Sequence, residues 1–257
     1  MAGRLTTFLG DMMQRRMVAR WRRDAQLAER ADPPALRAIR ASGRQLRAEI
    51  DVALATAERR LAYPTGEAAR ILRRAGTDWV WRPELWSGAV RPSGQAPVPR
   101  HATLSRHGKF YHDCSLAEIA VRQVRNGASD ALAPFGYAVE VFDFAGSFMS
   151  LVLDLPDEGL KGLSTRHVLR VETRLETERP ITVYARLNLR YGPNTEQIAR
   201  ALDQAATPAE VEFDLGHADF PSEQLDRAWI DLFFEKPAMN RIILRDLTVM
   251  RMVRAEY

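Results

Sequence analysis

The chain has 257 residues, a formal net charge of +4 and 46% hydrophobic residues, so it can bury a core in one sizeable domain with an appendage or in two small domains. No apolar run approaches the roughly 20 residues that a membrane-spanning helix needs. The single cysteine, Cys114, excludes an intrachain disulfide and a metal site built from several cysteines.

The start of the chain and the distribution of charge bear on location and partners. The N-terminus lacks the apolar stretch of roughly 7–15 residues and the cleavage site of a secretory signal, which, with the lone cysteine, favours a cytoplasmic protein. Residues 1–107 contain 20 Arg and 10 Asp or Glu, a balance of +10, whereas residues 108–257 have a balance of −6. The two parts either attract each other, within a molecule or between copies, or the basic part meets an external anionic partner.

Residues 1–62 are predicted to form a basic arm of two amphipathic helices. The apolar residues that recur every four positions in the first helix are Leu5, Leu9, Met13, Met17 and Trp21. In the second helix, Asp32 suits the N-cap, Pro33 the first helical position and Pro64 the stop. The arm is interpreted as a hairpin or coiled coil for oligomerisation or docking on the body, or as a peripheral attachment to an anionic membrane or a protein. Because no nucleic-acid module is recognisable, nucleic acid is not an expected partner.

Residues 63–110 are rich in Pro, Gly and Trp and are predicted to form an irregular connecting segment. The segment contains the sequence DWVWRPELW, with Trp79, Trp81 and Trp86. Tryptophans in a loop either stack on a sugar or fasten the loop to the body by burying apolar area, and the second role is the more common one.

The next stretch, FYHDCSLAEIAVRQVRNG, combines a predicted short helix with two reactive residue types. Ser115 and Glu118 match a capping box, and Gly127 suits the helix end. His112 and Cys114 precede this helix, where a thiol gains reactivity. An enzyme that uses these two residues is therefore one hypothesis.

Other features of the stretch oppose that hypothesis. A catalytic cysteine needs a base held within reach, and none is apparent on a second element. His101, His107 and His112 fit no zinc spacing. We therefore predict no catalytic residue, no metal and no cofactor.

From Tyr137 onward, one-sided apolar alternation predicts seven antiparallel strands. They comprise residues 137–144, 147–153, 166–177, 181–190, 210–215 and two strands that flank the turn Pro-Ala-Met-Asn. The Ala-Gly pair between the first two strands predicts a hairpin, and the last two strands are predicted to form a terminal hairpin. Near Arg245 and Asp246 the apolar side of the last strand switches, which predicts a β-bulge.

This pattern selects the fold class. Parallel βαβ units would show continuous apolar runs instead of alternation. The chain is therefore predicted to be mainly β with an α-helical N-terminal arm, and residues 111–257 to hold the short helix and an antiparallel two-sheet sandwich of jelly-roll, galactose-binding-like type.

Several motifs resemble a known family. They are HDCSLAEIAVRQVRN, FDFAGSFMSLVLDLP, ARLNLRYGPNTEQ, WIDLFFEKPAMNRIILRDLT and the terminal RAE. From about Trp79 to the C-terminus they resemble an uncharacterised alphaproteobacterial domain-of-unknown-function family, which has no assigned activity and therefore supplies no catalytic residues to compare. The last two strands are more loosely similar to the closing strands of carbohydrate-binding jelly rolls.

The outward side of the strand at residues 181–190 and the loop after it hold the candidate ligand-binding residues. These are Tyr184, Arg186, Asn188, Arg190, Tyr191, Asn194 and Glu196. Aromatic rings beside Arg, Asn and Glu suit a sugar, which needs a stacking surface and hydroxyl partners. The alternative is a solvated sheet face with Arg–Glu pairs that involve Glu172 and Glu176.

Together these features predict a non-enzymatic binding module whose sandwich recognises a glycan or a protein partner. Glu196 has no recognisable partner carboxylate at glycosidase spacing, so hydrolysis is not expected. The alternative is a structural or assembly protein in which the sandwich is only a scaffold.

Overall fold

The computed structural model describes residues 2–62, 76–116, 118–127, 132–206 and 208–254. The chain divides into two compact units, residues 1–54 and 55–257. The predicted fold class is confirmed, because the chain is mainly β, with a helical N-terminal segment followed by two antiparallel sheets.

The N-terminal unit consists of helix α1 (Ala2–Ala28) and the larger part of helix α2 (Pro33–Ala62), which continues past residue 54. The carboxylate of Asp32 accepts the backbone N–H of Ala35 at 3.0 Å, as predicted for an N-cap. A side chain at Gly43 would meet the Trp21 ring at 3.3 Å, so glycine lets α2 approach α1 closely. Over the described part of the chain, neither these helices nor any other is both long and apolar enough to cross a membrane. The predicted stop at Pro64 and the side chains of Leu5 and Leu9 lie outside the description.

The second unit is a sandwich of thirteen strands among the described residues. The strands are β1 (Thr77–Trp81), β2 (Gly94–Gln95), β3 (His101–Thr103), β4 (Gly108–His112), β5 (Ile119–Arg125), β6 (Phe135–Val141), β7 (Met149–Asp154), β8 (His167–Thr177), β9 (Val183–Tyr191), β10 (Asn194–Ala201), β11 (Ala209–Asp214), β12 (Leu225–Phe234) and β13 (Asn240–Val253). Two short helices, α3 (Glu84–Ser87) and α4 (Asp157–Leu160), accompany them.

The strands form two sheets. Sheet A has the order β11-β8-β13-β6-β5-β2, with β1 also paired to β13, and sheet B has the order β10-β9-β12-β7-β4-β3. From β6 onward the chain passes repeatedly from one sheet to the other, which is the connectivity expected of a jelly roll.

The core lies between the two sheets. Of the residues that alternation predicted to point inward, Leu175 is half-buried against the core. The others are buried, namely Leu169, Val171, Ile181, Val183, Ala185, Leu187, Leu189, Val211, Phe213, Leu215, Ala228, Ile230, Leu232 and Phe234. Because side chains alternate along a strand, burial of this set leaves the intervening residues of each strand on the outside of the sandwich.

The predicted β-bulge in the last strand is confirmed and serves as an attachment point. The register of β13 against β8 shifts between Leu244 and Asp246. The Arg82 guanidinium donates to both carboxylate oxygens of Asp246, at 2.8 and 3.0 Å. The Trp86 indole nitrogen donates to the Leu244 carbonyl at 2.8 Å. Trp86 therefore fastens its segment to the body, which is the more common of the two roles predicted for these tryptophans.

The predicted connecting segment is wrong over residues 76–110. These residues supply strands β1 to β4 and helix α3 and so belong to the sandwich. The strands are short and interrupted by proline, which hides their alternation. Residues 63–75 of the predicted segment lie outside the described residues.

The short helix predicted after Ser115 is also wrong. Residues Ile119–Arg125 form strand β5, which pairs with β6 in sheet A. Ile119 and Val121 are buried in the core, and β5 lies between β6 and β2 in the sheet. Tertiary pairing overrides the local capping signal.

Neither predicted hairpin forms. The loop after Val141 leads from β6 in sheet A to β7 in sheet B, and the turn after Phe234 leads from β12 in sheet B to β13 in sheet A. Lys236 and Met239 adopt positive φ angles of 48° and 52° in that second turn. Both turns carry the chain across the sandwich instead of reversing it within a sheet.

Candidate ligand-binding face

The surface of sheet B that points away from the core, here called the outer face, holds the candidate site. Directly opposed residues of antiparallel strands share a side, so the register places the following residues on this face: His101 and Thr103, Lys109 and Tyr111, Ser150, Val152 and Asp154, Arg227, Trp229, Asp231 and Phe233, Tyr184, Arg186, Asn188 and Arg190, and Thr195 and Gln197.

A groove of about 470 Å³ crosses the middle of the outer face. Its lining residues come from the central strands and the loop before β7, and they are Tyr111, Phe148, Ser150, Val152, Arg186, Arg227, Trp229, Asp231 and Phe233. Aromatic rings and charged groups thus alternate across one concave surface.

The first of two arginine stacks in the groove is built on Phe233. The guanidinium carbon of Arg186 lies 4.7 Å from the centre of the Phe233 ring. Its Nε and Nη2 donate to Oδ2 of the buried Asp231, at 3.0 and 2.8 Å. Asn188 Nδ2 donates to the same oxygen at 3.0 Å. Charge-assisted hydrogen bonds and the ring face therefore hold Arg186 in one orientation.

The second stack is built on Trp229. The guanidinium carbon of Arg227 lies 4.8 Å from the centre of that ring, and Arg227 Nε donates to Oδ1 of Asp154 at 3.0 Å. Lys109 Nζ donates to the other oxygen of Asp154 at 2.6 Å. Burial opposes ionisation of Asp154, but the hydrogen bonds from Lys109 and Arg227 outweigh it and lower its pKa.

Less covered aromatic rings border these stacks. Phe148 is 39% exposed at the groove. Tyr111 is half-buried and meets the His101 ring edge-on, with 5.2 Å between the ring centres. Tyr184 is exposed and lies directly opposite Phe233. Such rings can stack on the apolar face of a sugar, while the neighbouring guanidinium and carboxylate groups can pair with hydroxyls.

Four of the seven predicted site residues lie on the outer face, which are Tyr184, Arg186, Asn188 and Arg190. Asn188 is fully buried. Besides its bond to Asp231, it accepts the Gln197 amide at 2.9 Å. Asn188 therefore helps to hold the Asp231 carboxylate, and through it Arg186, in place.

The other three predicted residues lie on the opposite side of sheet B. Glu196 is directly opposite the core residue Leu189, and Asn194 is directly opposite Tyr191. The Tyr191 ring packs against the core and its hydroxyl donates to the Asp219 carbonyl at 3.1 Å. The seven residues therefore do not form one surface, because the chain turns at Gly192 (φ 53°) and returns as β10.

The sequence-based prediction missed most of the groove. Trp229, Asp231 and Phe233 alternate on the outward side of β12, next to β9 in sheet B. The sequence did contain a signal for this groove, because two large aromatic residues lie on the solvent side of a half-buried strand. Tyr111, Phe148 and Val152 reach the groove only through the pairing of β7 with β4 and β12, which local patterning does not reveal.

His112 and Cys114, the two residues of the enzyme hypothesis, lie in the core. Each residue is only 1% exposed, and the segment after them starts a strand, so the thiol does not lie at a helix N-terminus. His112 Nε2 lies 3.1 Å from the Val98 carbonyl, and its Nδ1 has no hydrogen-bond partner among the residues that the structure describes. Within the described ranges, no group of three or more His, Cys, Asp or Glu residues is placed to hold a metal ion.

Comparison with solved structures finds weak similarity. Tailspike protein 4 of bacteriophage CBA120 is 10% identical, with a TM-score of 0.41 over 58% of this chain and 19% of the tailspike. The family 11 carbohydrate-binding module of Lic26A-Cel5E from Clostridium thermocellum is 9% identical, with a TM-score of 0.33 over 60% of this chain and 91% of the module. TmCBM61 in complex with β-1,4-galactotriose is 17% identical, with a TM-score of 0.32 over 55% of this chain and 88% of that chain. The chain thus spans about a fifth of the tailspike.

Comparison of the sequence itself is more decisive. No curated protein matches the chain. The motifs predicted a domain-of-unknown-function family for the part from Trp79 onward, and the match extends over the helical arm as well. A model of the family of unknown function DUF6478 matches residues 1–257, and the chain therefore belongs to that family.

Proposed function

We propose that the chain is a non-enzymatic binding module that holds a glycan on the outer face of sheet B. The observation that carries this proposal is the pair of arginine stacks, Arg186 on Phe233 and Arg227 on Trp229. A carboxylate fixes each guanidinium before any ligand arrives, so binding does not have to order these side chains. The groove then offers flat surfaces to sugar rings and directed groups to hydroxyls.

The state of two carboxylates on the outer face, Asp154 and Asp231, supports binding without hydrolysis. A glycosidase needs a carboxylic acid whose pKa is raised, so that it can donate a proton to the leaving group. The pKa of Asp154 is instead lowered, because its bonds to Lys109 and Arg227 outweigh the effect of burial. Asp231 is held by Arg186 and Asn188. Both carboxylates therefore serve to position cations.

A glycan array probed with the full chain tests the proposal, followed by calorimetry with a glycan that binds. Phe148→Ala removes an exposed ring of the groove, and we expect at least a fivefold loss of affinity, or about 1 kcal/mol. Phe142→Ala is the matched control, because Phe142 is 60% exposed but does not line the groove. The proposal fails if no glycan binds saturably, or if both variants lose affinity equally.

A role in assembly is the second candidate, and the helical arm favours it. Met13, Leu27 and Val52 are large apolar residues that α1 and α2 leave exposed. If a second copy of the chain packed against these side chains, their apolar area would be removed from water. We expect concentration-dependent self-association in light scattering, reduced by Val52→Asp. A full chain that stays monomeric at all concentrations and pellets with anionic vesicles would indicate attachment to a membrane surface instead.

A further inference from the structure

We infer that the glycan held on the outer face of sheet B is anionic, and that its charged group binds between Arg190 and Arg227. This inference rests on the proposed function and specifies the class of its ligand. It follows from the register of two strands and from the charges that the register brings together.

Arg190 of β9 and Arg227 of β12 are directly opposed. Directly opposed side chains start about 5 Å apart, and two like charges in this position destabilise a sheet. Thr195 of β10 is directly opposite Arg190 on its other side, so a hydroxyl lies beside the same pair. An anion bound between the guanidinium groups would remove the repulsion and accept hydrogen bonds from both.

The neighbouring carboxylates leave this pair with excess positive charge. Asp154 is shared between Arg227 and Lys109. Asp226, in the irregularity beside Arg227, accepts the backbone N–H of Gly192 at 2.9 Å. Arg190 is exposed and forms no ion pair within the described part of the chain. Its guanidinium is therefore available to a ligand.

The charge of the whole face points the same way. Among the residues that the register assigns to the outer face, four are cations (Lys109, Arg186, Arg190, Arg227) and two are carboxylates (Asp154, Asp231), a balance of +2. Residues 108–257 as a whole have a balance of −6. A positive face on an acidic body attracts anionic ligands and directs them to one surface.

The arginine pair also indicates an extended ligand. Arg190 lies six residues from Tyr184 along β9, or about 20 Å at the rise of a strand. Phe233, opposite Tyr184, marks the aromatic end of the face. A single sugar cannot reach both ends, so the ligand is an oligosaccharide whose acidic group is a uronate carboxylate or a sulfate.

The test uses the full chain and an array that carries neutral, uronate-bearing and sulfated glycans. Each acidic glycan that binds is then compared by calorimetry with its neutral counterpart, methyl-esterified or desulfated. We expect the neutral counterpart to bind about tenfold more weakly. We also expect affinity for the acidic glycan to fall as the salt concentration rises from about 50 to about 500 mM.

Two variants locate the anion. Arg190→Gln should weaken binding of the acidic glycan about tenfold and weaken binding of the neutral counterpart less than twofold, because the neutral counterpart lacks the charged group that pairs with Arg190. Arg200→Gln is the matched control, because Arg200 is also exposed on sheet B but is directly opposite the core residue Ala185, on the other side of the sheet. It should bind like the wild type.

The outcomes separate this inference from the proposed function. If only neutral glycans bind, the inference is wrong and the proposed function stands. If no glycan binds, both are wrong. If acidic glycans bind but the Arg190 and Arg200 variants lose affinity equally, the attraction is a general charge effect and the site between Arg190 and Arg227 is refuted.

Discussion

The salt bridge between Arg82 and Asp246 offers the sharpest test of how this sandwich is held together. Both side chains are almost completely buried, with 3% and 9% of their surface exposed, and two hydrogen bonds join them. Arg82 follows β1, and Asp246 lies at the bulge of β13. The bridge thus fixes an early segment to the middle of sheet A.

The Arg82→Met variant keeps most of the apolar stem but leaves the Asp246 carboxylate buried without its partner. Removing one member of a buried ion pair costs about 3–5 kcal/mol. With about 2 kcal/mol per molar urea for a domain of this size, the unfolding midpoint should fall by roughly 2 M. The double variant Arg82→Met with Asp246→Leu should recover to within about 2 kcal/mol of the wild type, because no uncompensated charge remains.

Urea unfolding followed by tryptophan fluorescence measures these changes, because four of the five tryptophans, Trp79, Trp81, Trp86 and Trp229, lie in the sandwich. Arg122→Met is the control. Arg122 pairs with Glu140 at a mostly exposed site of sheet A, and its loss should cost under about 1 kcal/mol. A cost below about 1 kcal/mol for Arg82→Met, or a double variant no better than the single one, would refute this account.

Three further changes test other contacts of the sandwich. Trp86→Phe removes the hydrogen bond to the Leu244 carbonyl and should destabilise the fold by about 1–3 kcal/mol in urea unfolding, because a buried acceptor loses its donor. Gly159→Ala would place a methyl group 2.6 Å from the Trp79 ring and should cost about 1–3 kcal/mol by the same assay. The lowered pKa of Asp154 means that its ionisation stabilises the fold above about pH 4 and that this stabilisation is lost as pH falls through the folded-state pKa. Asp154→Asn should therefore lower the Tm at neutral pH and flatten the decline of Tm in acid.

Each of these changes has an outcome that contradicts it. An unchanged urea midpoint for Trp86→Phe would mean that the Leu244 carbonyl finds another donor. Gly127→Ala is the control for Gly159→Ala, since a methyl group at Gly127 meets nothing within 4 Å, and equal costs at both positions would argue against a clash. An Asp154→Asn variant whose Tm falls in acid as steeply as that of the wild type would show that other carboxylates govern acid unfolding.

Much of sheet B and the core could be predicted from local pattern. In β12, Ala228, Ile230 and Leu232 alternate with polar and aromatic residues, and the sandwich buries them. The switch of the apolar side near Arg245 predicted the bulge, since an inserted residue reverses the alternation. These features depend only on which side of a strand meets the core, and that information is carried by neighbouring residues.

The failures depend on pairings between distant segments. The residues after Ser115 fit a helical face as well as a strand, and the pairing with β6 decides the outcome. The turns after Val141 and Phe234 satisfy the composition of a hairpin, yet they lead to different sheets. In the candidate site, Arg186 was found because β9 alternates, whereas Glu196 was placed on the wrong side because the return of the chain at Gly192 was not foreseen.

The position of β13 has a consequence for synthesis. This strand is the last in sequence order, yet it lies between β8 on one side and β6 and β1 on the other, with Thr77 paired to Met252. As the chain leaves the ribosome, β1, β6 and β8 emerge with their edges unpaired and must wait for residues up to Val253. Contacts of such long sequence separation slow folding and leave intermediates prone to association. We therefore expect sheet A to close in one late, cooperative step, after the residues of β13 have emerged.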